Sequence, residues 1–406
     1  MFKRSSGVLA HVTSLPSPHG VGTMGKTARD FVDFLAAAHQ TYWQVLPLGH
    51  TGFGDSPYQC FSAAAGNPYL IDMDLLVEDG LLTADEVRQG DFNASADTAD
   101  FEQLADTRWP LFRKAYSRVT PEMREKIAVF TEKNSEWLPD YALFMALKEE
   151  KYHHMPVYMW PDKDVRDRKP AALEKVTAEL RDEVDFRIFL QYIFFKQWTA
   201  LREYANEKGI QIIGDIPIYV SADSSDVWTH PKLFKLKPDR SPKLVAGVPP
   251  DYYSATGQLW GNPVYNWTAH KAENYAWWIW RMKSNMALFD VVRLDHFRGF
   301  AAYWEVGADE ETAINGKWRK GPGMELFNAI EKALGPVPLI AEDLGVQTDE
   351  VKKLLEESGF PGMRVLIFGF TPDYDNEHLP HNYKPNSIVY TSTHDSQTVC
   401  EQIMDI

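Results

Sequence analysis

Asp290-Val291-Val292-Arg293-Leu294-Asp295-His296-Phe297 is the stretch on which the reading of the fold turns. A short apolar run broken by one arginine and closed by an acid fits a buried strand with polar groups on a single face. Alternation puts Val291, Arg293 and Asp295 on that face. In a parallel β/α barrel the face points to the axis, and its last residue stands at the C-terminal mouth, where such barrels carry their chemistry. A guanidinium two residues before an acid on the same face favours the ionised carboxylate, the form a nucleophile requires. A structural ion pair fits this segment equally well.

The same design recurs outward from it. Pro338-Leu339-Ile340-Ala341-Glu342-Asp343-Leu344-Gly345 is another apolar run closed by acid, although either carboxylate also suits a cap of the following turn. Ile388-Val389-Tyr390-Thr391-Ser392-Thr393-His394-Asp395 places Thr391, Thr393 and Asp395 on one side, and Asp395 is equally a helix N-cap. Three carboxylates at three strand ends suit glycosyl transfer, which needs one acid and one nucleophile.

Further β-rich runs are Gly7–Val12, Tyr42–Leu46, Gln211–Ile216 and Met363–Phe368, with 339–342 and 387–391 completing the set beside 291–295. Helical patterns at Thr27–Ala38, Arg187–Lys208, Glu273–Phe289, Gly323–Leu334 and Asp349–Glu357 precede most of them, which predicts parallel pairing and an α/β class. Residues 72–185 contain no run that reads as a buried strand and form a helical insertion. The organisation expected is strands one and two in 1–71, the insertion in 72–185, and strands three to seven in 186–406 with a lid loop at 247–263. Seven strands fall one short of a barrel. The expected fold is therefore a (β/α)8 TIM-type barrel with large helical insertions, truncated before its eighth strand and open beside Asp395.

Composition narrows the partners. A net charge of −15 opposes nucleic acid and anionic membranes and suits a neutral ligand. Thirteen Trp make an aromatic-rich chain; core packing accounts for most of them, and aromatic rings beyond the core line sugar-binding grooves well. Two cysteines build no disulfide framework, which points to the cytoplasm, and no stretch is long and apolar enough to span a membrane. No zinc spacing or EF-hand loop is present, so no metal and no cofactor is expected. Gly20-Val21-Gly22-Thr23-Met24-Gly25-Lys26-Thr27 fits the phosphate-loop pattern letter for letter. Pro16, Ser17 and Pro18 separate it from the preceding strand, however, and proline offers no amide hydrogen. A glycine-rich turn into a helix is the expected reading, and a phosphate-loop nucleoside triphosphatase the remote alternative.

Arg293-Leu294-Asp295-His296-Phe297-Arg298-Gly299, Ala341-Glu342-Asp343-Leu344-Gly345 and Thr393-His394-Asp395 together resemble the amylomaltases, the 4-α-glucanotransferases or disproportionating enzymes of the α-amylase clan. Gly54-Asp55-Ser56-Pro57-Tyr58-Gln59, Gly214-Asp215-Ile216-Pro217-Ile218-Tyr219-Val220 and Gly247-Val248-Pro249-Pro250-Asp251-Tyr252, which runs on to Pro263, extend the resemblance from Ser6 to the end of the chain. Members of that family continue past this point through an eighth strand. The resemblance implies α-1,4-glucans and maltooligosaccharides as partners, Asp295 as nucleophile, Glu342 as acid/base, and Asp395 as holder and distorter of the sugar. It also implies sugar contacts from Arg293 and His394, a glucan groove lined by Tyr58 and Trp260, and a loop over it carrying Asp251 and Gln258. Ser56 and Asp215 join the expected substrate-binding set. Tyr252, Tyr253 and Trp260 are the expected cover against water. A plain α-glucan hydrolase, or a chain that binds glucans without turning them over, are the alternatives.

Overall fold

The structure, a computed structural model, describes residues 3–90, 92, 98–251, 254–345 and 347–404. Its strands are β1 (Gly7–Leu9), β2 (Tyr42–Gln44), β3 (Gln211–Ile216), β4 (Leu244–Val248), β5 (Gln258–Pro263), β6 (Val291–Leu294), β7 (Ala302–Gly307), β8 (Lys317–Lys320), β9 (Leu339–Ala341), β10 (Gly362–Val365) and β11 (Ser387–Tyr390). Strands β1, β2, β3, β6 and β9 form one parallel sheet in that order, and β10 and β11 form a parallel pair. The Ala341 amide donates to the Pro361 carbonyl at 2.9 Å and joins the two pieces into one wall.

Each of the seven strands read from the sequence is present, and so are the five helices, at Lys26–Ala37, Arg181–Glu207, Ala276–Leu288, Met324–Leu334 and Asp349–Ser358. The wall separates two apolar environments, as alternation demands. Ile213, Val291, Ile340 and Met363 pack together on its inner face, with Tyr42, Ile388 and Tyr390 against them. Val292, Leu294, Leu339 and Ala341 face the other way, into the main core shared with the helices. Tyr390 donates its hydroxyl to Gln44 Oε1 at 2.6 Å, linking β11 to β2. Among the described residues no strand bridges β11 and β1, so the barrel is not closed there.

Between β2 and β3 the chain is helical, with segments at Phe101–Ser117, Pro121–Lys133 and Leu138–Ala146 leading to the long helix before β3. This region builds its own core around Tyr141, Phe144 and Trp160, to which Trp228 from beyond β3 adds its ring.

Four strands were not anticipated. β5, β4, β7 and β8 form an antiparallel sheet in that order. Of the expected lid loop at 247–263, residues 247–248 and 258–263 are strand, the inner ends of a β4–β5 hairpin. The physical reason is exposure. β8 is exposed along its whole length and β5 buries only its end, so neither shows an apolar alternation. A register shift between Val245 and Gly247 breaks the pattern in β4 as well.

The phosphate-loop look-alike is a turn into the helix Lys26–Ala37. The Thr23 hydroxyl donates to Asp72 Oδ2 at 2.6 Å, and Asp72 lies so close to Gly25 that a Cβ there would stand 2.0 Å from the same oxygen. A carboxylate occupies the ground a phosphate would need, and Lys26 is engaged by Asp30 at 2.5 Å.

Candidate active site

Asp295 and Glu342 each directly follow a wall strand, and the ladder itself sets their positions. The Asp295 amide donates to the Ile216 carbonyl of β3, and the Glu342 amide to the Leu294 carbonyl of β6, each at 3.0 Å. Glu342 is gripped twice: Oε2 accepts the His296 amide at 2.7 Å and Oε1 the Leu344 amide at 2.9 Å. The first grip depends on the backbone at His296, whose φ of +49° is left-handed and rare for a residue with a side chain. Strain of this kind gathers at functional turns.

The two neighbouring acids at the end of β9 divide the work. Asp343 is buried, accepts the Met363 amide at 2.7 Å and pairs with Arg364 at 3.1 Å, so it fastens β10 to the wall. Glu342 is the one that lines the cleft.

Arg293 links the groups. Its Nη1 lies 3.0 Å from Asp295 Oδ1 and 2.6 Å from Asp215 Oδ2. Asp215 and Arg293 are register partners on β3 and β6. The Tyr58 hydroxyl donates to Asp215 Oδ2 at 2.7 Å and meets His394 Nε2 at 2.7 Å, the two rings stacked within 3° of parallel. Because that hydroxyl has spent its hydrogen on Asp215, His394 must carry its own on Nε2. The same Nε2 stands 3.2 Å from Asp395 Oδ1. Burial holds His394 below the usual imidazole range, in keeping with a neutral ring.

Burial pushes both cleft carboxyls up, Asp295 to about 6 and Glu342 to about 8, while Arg293 opposes the rise at each. Arg293 stands nearer Asp295, and the Asp295 charge raises Glu342 further. The proton shared by such a pair therefore rests on Glu342.

One open cleft, about 2000 Å³, brings together Ser56, Tyr58, Asp251, Gln258, Trp260, Arg293, Asp295, Glu342 and Asp395. Two expected sugar contacts stand apart from its lining. The Asp215 side chain is fully buried, and both its oxygens are engaged, by Arg293 and Tyr58. His394 is stacked on Tyr58 and reaches the cleft through Asp395. The expected alternation in the last strand also needs correction. β11 turns Ile388 and Tyr390 inward and ends there, so Asp395 enters the cleft from the turn that follows, with its side chain 69% exposed. Tyr252 and Tyr253, expected in the cover, lie outside the described residues.

Trp260 stands edge-on to His296, ring centroids 4.8 Å apart, and donates its indole hydrogen to Gln258 at 3.0 Å. The cleft also contains Trp318 of β8, with the Arg298 guanidinium 4.1 Å over its ring, and Phe368. Sequence reasoning missed both aromatics and the part played by His296. An aromatic on an otherwise charged strand, Lys317-Trp318-Arg319-Lys320, was the available signal for Trp318; nothing in the sequence marks the left-handed turn at His296.

The chain is similar to known proteins along nearly its whole length. Residues 10–403 match the glycoside hydrolase 77 family model, described as 4-alpha-glucanotransferase. A 4-alpha-glucanotransferase of Clostridium butyricum is 48% identical over 390 residues, covering 96% of this chain and 80% of that protein. One from Thermus thermophilus is 49% identical over 401 residues, covering 97% and 79%. The solved amylomaltase of Streptococcus agalactiae in complex with acarbose superposes with a TM-score of 0.97 at 45% identity, over 99% of this chain and 82% of that one. The barrel wall, the paired acids at its mouth and these likenesses agree: the chain belongs to the 4-alpha-glucanotransferase family, glycoside hydrolase family 77.

Proposed function

We propose that the chain moves α-1,4-glucan segments between maltooligosaccharides by double displacement, with Asp295 as nucleophile and Glu342 as acid and then base. The observation that carries the assignment is the difference between the two carboxyls, one ion-paired to Arg293 and the other held by two amides at a raised pKa. Ionised Asp295 attacks the anomeric carbon while Glu342 gives its proton to the glycosidic oxygen. The reducing-end piece departs and leaves a β-linked glucosyl ester on Asp295. Glu342 then takes the proton of an acceptor 4-hydroxyl, which attacks the ester carbon and releases Asp295. Two inversions return the α configuration.

Arg293, held by Asp215, stabilises the carboxylate as it leaves at the second step. Asp395, beside the Nε2 hydrogen of His394, is placed to accept hydroxyls of the reacting sugar. Trp260 and Gln258 on β5, with Asp251 beyond β4, line the groove for the rest of the glucan and help to exclude water, which would otherwise compete with the acceptor. A cytoplasmic site of action agrees with two unpaired cysteines, Cys60 and Cys400. Among the described residues no helix is long and apolar enough to cross a membrane.

The product profile from maltotriose tests the reading. Glucose together with oligomers longer than the substrate is the expected outcome; glucose and maltose alone would make the chain a hydrolase.

A further inference from the structure

The loop between β1 and its helix meets a second segment at a cluster that takes no part in the cleft. His19 is 4% exposed, and its Nδ1 is buried with no hydrogen-bond partner. That nitrogen lies 3.9 Å from Asp72 Oδ2, while Nε2 lies 3.7 Å from Asp74 Oδ1. Both separations are too long for hydrogen bonds. One donor atom from each of the three residues nevertheless falls within 4.8 Å of the other two. A buried ring nitrogen without a partner is uncommon and calls for a physical cause, of which an ion is one.

We propose that His19, Asp72 and Asp74 bind a divalent transition-metal cation of zinc-like preference. One imidazole and two carboxylates are borderline ligands that suit such an ion better than calcium, which selects oxygen alone. Two aspartate charges balance the ion. Metal–ligand bonds of about 2.0–2.2 Å bring donor atoms to roughly 3.3–3.6 Å of one another in a tetrahedral site. The three donor atoms lie within 4.8 Å of one another, so the cluster must contract by up to about 1 Å. Asp74, with its side chain 67% exposed, is free to make that movement and leaves room for water in the remaining position.

The other neighbours set the limits of the site. Asp72 Oδ1 caps the helix Met73–Glu78 through the Leu75 amide, and Oδ2 accepts the Thr23 hydroxyl, so this ligand is already oriented. Arg108 donates to the carbonyls of His19, Tyr69 and Ile71, and its charge opposes the ion. The ion would tie the loop at His19 to the helix at Asp72 and add stability without touching the reaction. The segment that imitates an anion-binding loop thus adjoins a site for the opposite charge.

Chelator-treated protein titrated calorimetrically with ZnCl2, with Tm followed in parallel, tests the proposal. One saturable equivalent and a raised Tm are expected, with Kd at least about tenfold weaker in both Asp74→Asn and His19→Gln. Asp74 is exposed, so Asp74→Asn should fold, keep the metal-free transferase activity, and decide the matter alone if His19→Gln does not fold. The absence of a saturable equivalent, an unchanged Kd in Asp74→Asn, or CaCl2 bound more tightly than ZnCl2 would each overturn it.

Discussion

The parallel wall and the antiparallel sheet beside it approach the same cleft with opposite physics. β6 and β9 are buried along their whole length, and the acids that end them are held by ladder amides and a buried guanidinium. β5 and β8 are largely exposed, and the side chains they send to the cleft, Gln258, Trp260 and Trp318, are held by one hydrogen bond, a ring edge or a cation–π contact. Groups whose protonation must be tuned are anchored at the ends of buried strands, where neighbours are fixed. Groups that only need to offer a surface stand on the open sheet.

The contrast is broken most directly at Asp295. Asp295→Asn is nearly isosteric and should lower kcat on the order of 10⁴-fold with the circular dichroism of the parent, because a covalent step is lost. Half the parent activity in that variant would remove Asp295 from the mechanism.

The next effect sharpens the electrostatic side of the comparison. Activity needs Asp295 ionised and Glu342 protonated, so kcat/KM should fall as pH drops through about 6 and again as it rises through about 8, the two limbs belonging to the coupled pair. A profile flat from pH 5 to 9 would contradict this. The same raised carboxyl costs stability, and the sign follows from the proton count. Above its ordinary value of 4.5 the unfolded chain releases a proton that folded Glu342 retains, so folding weakens as pH rises from there until about 8. Glu342→Gln should therefore be inactive in transfer yet melt a few degrees above the parent at pH 7, with the gain vanishing below pH 4.5.

The smallest effect belongs to the open sheet. Trp260→Ala should raise KM for maltooligosaccharides roughly tenfold, about 1.4 kcal/mol, with kcat largely kept. A loss confined to kcat would move Trp260 from the groove to the chemistry.

Legibility followed the same division. Runs such as Val291–Asp295 and Leu339–Glu342 announce themselves because both faces of a wall strand are buried and only its mouth tolerates charge. The strands at 258–263 and 317–320 went unread because exposure removes the selection for apolar residues that makes a period visible. The antiparallel hairpin in the expected lid loop had no signal beyond Gly257 in its turn, at φ +69°.

Local covalent order therefore determined the wall, its helices and the acids at its mouth, since alternation and burial act over a few neighbours at a time. Alternation alone left open which of two adjacent acids lines the cleft, and only the folded chain supplies their contacts. Glu342 and Asp343 are adjacent in sequence, and no pattern of their neighbours separates them. One meets two amides and the cleft while the other meets Arg364 and β10. Asp215 and Arg293 are 78 residues apart and become partners through register alone. A carboxylate's pKa, ligand access and role depend on what lies within a few ångströms in space, and that distance is set by tertiary packing.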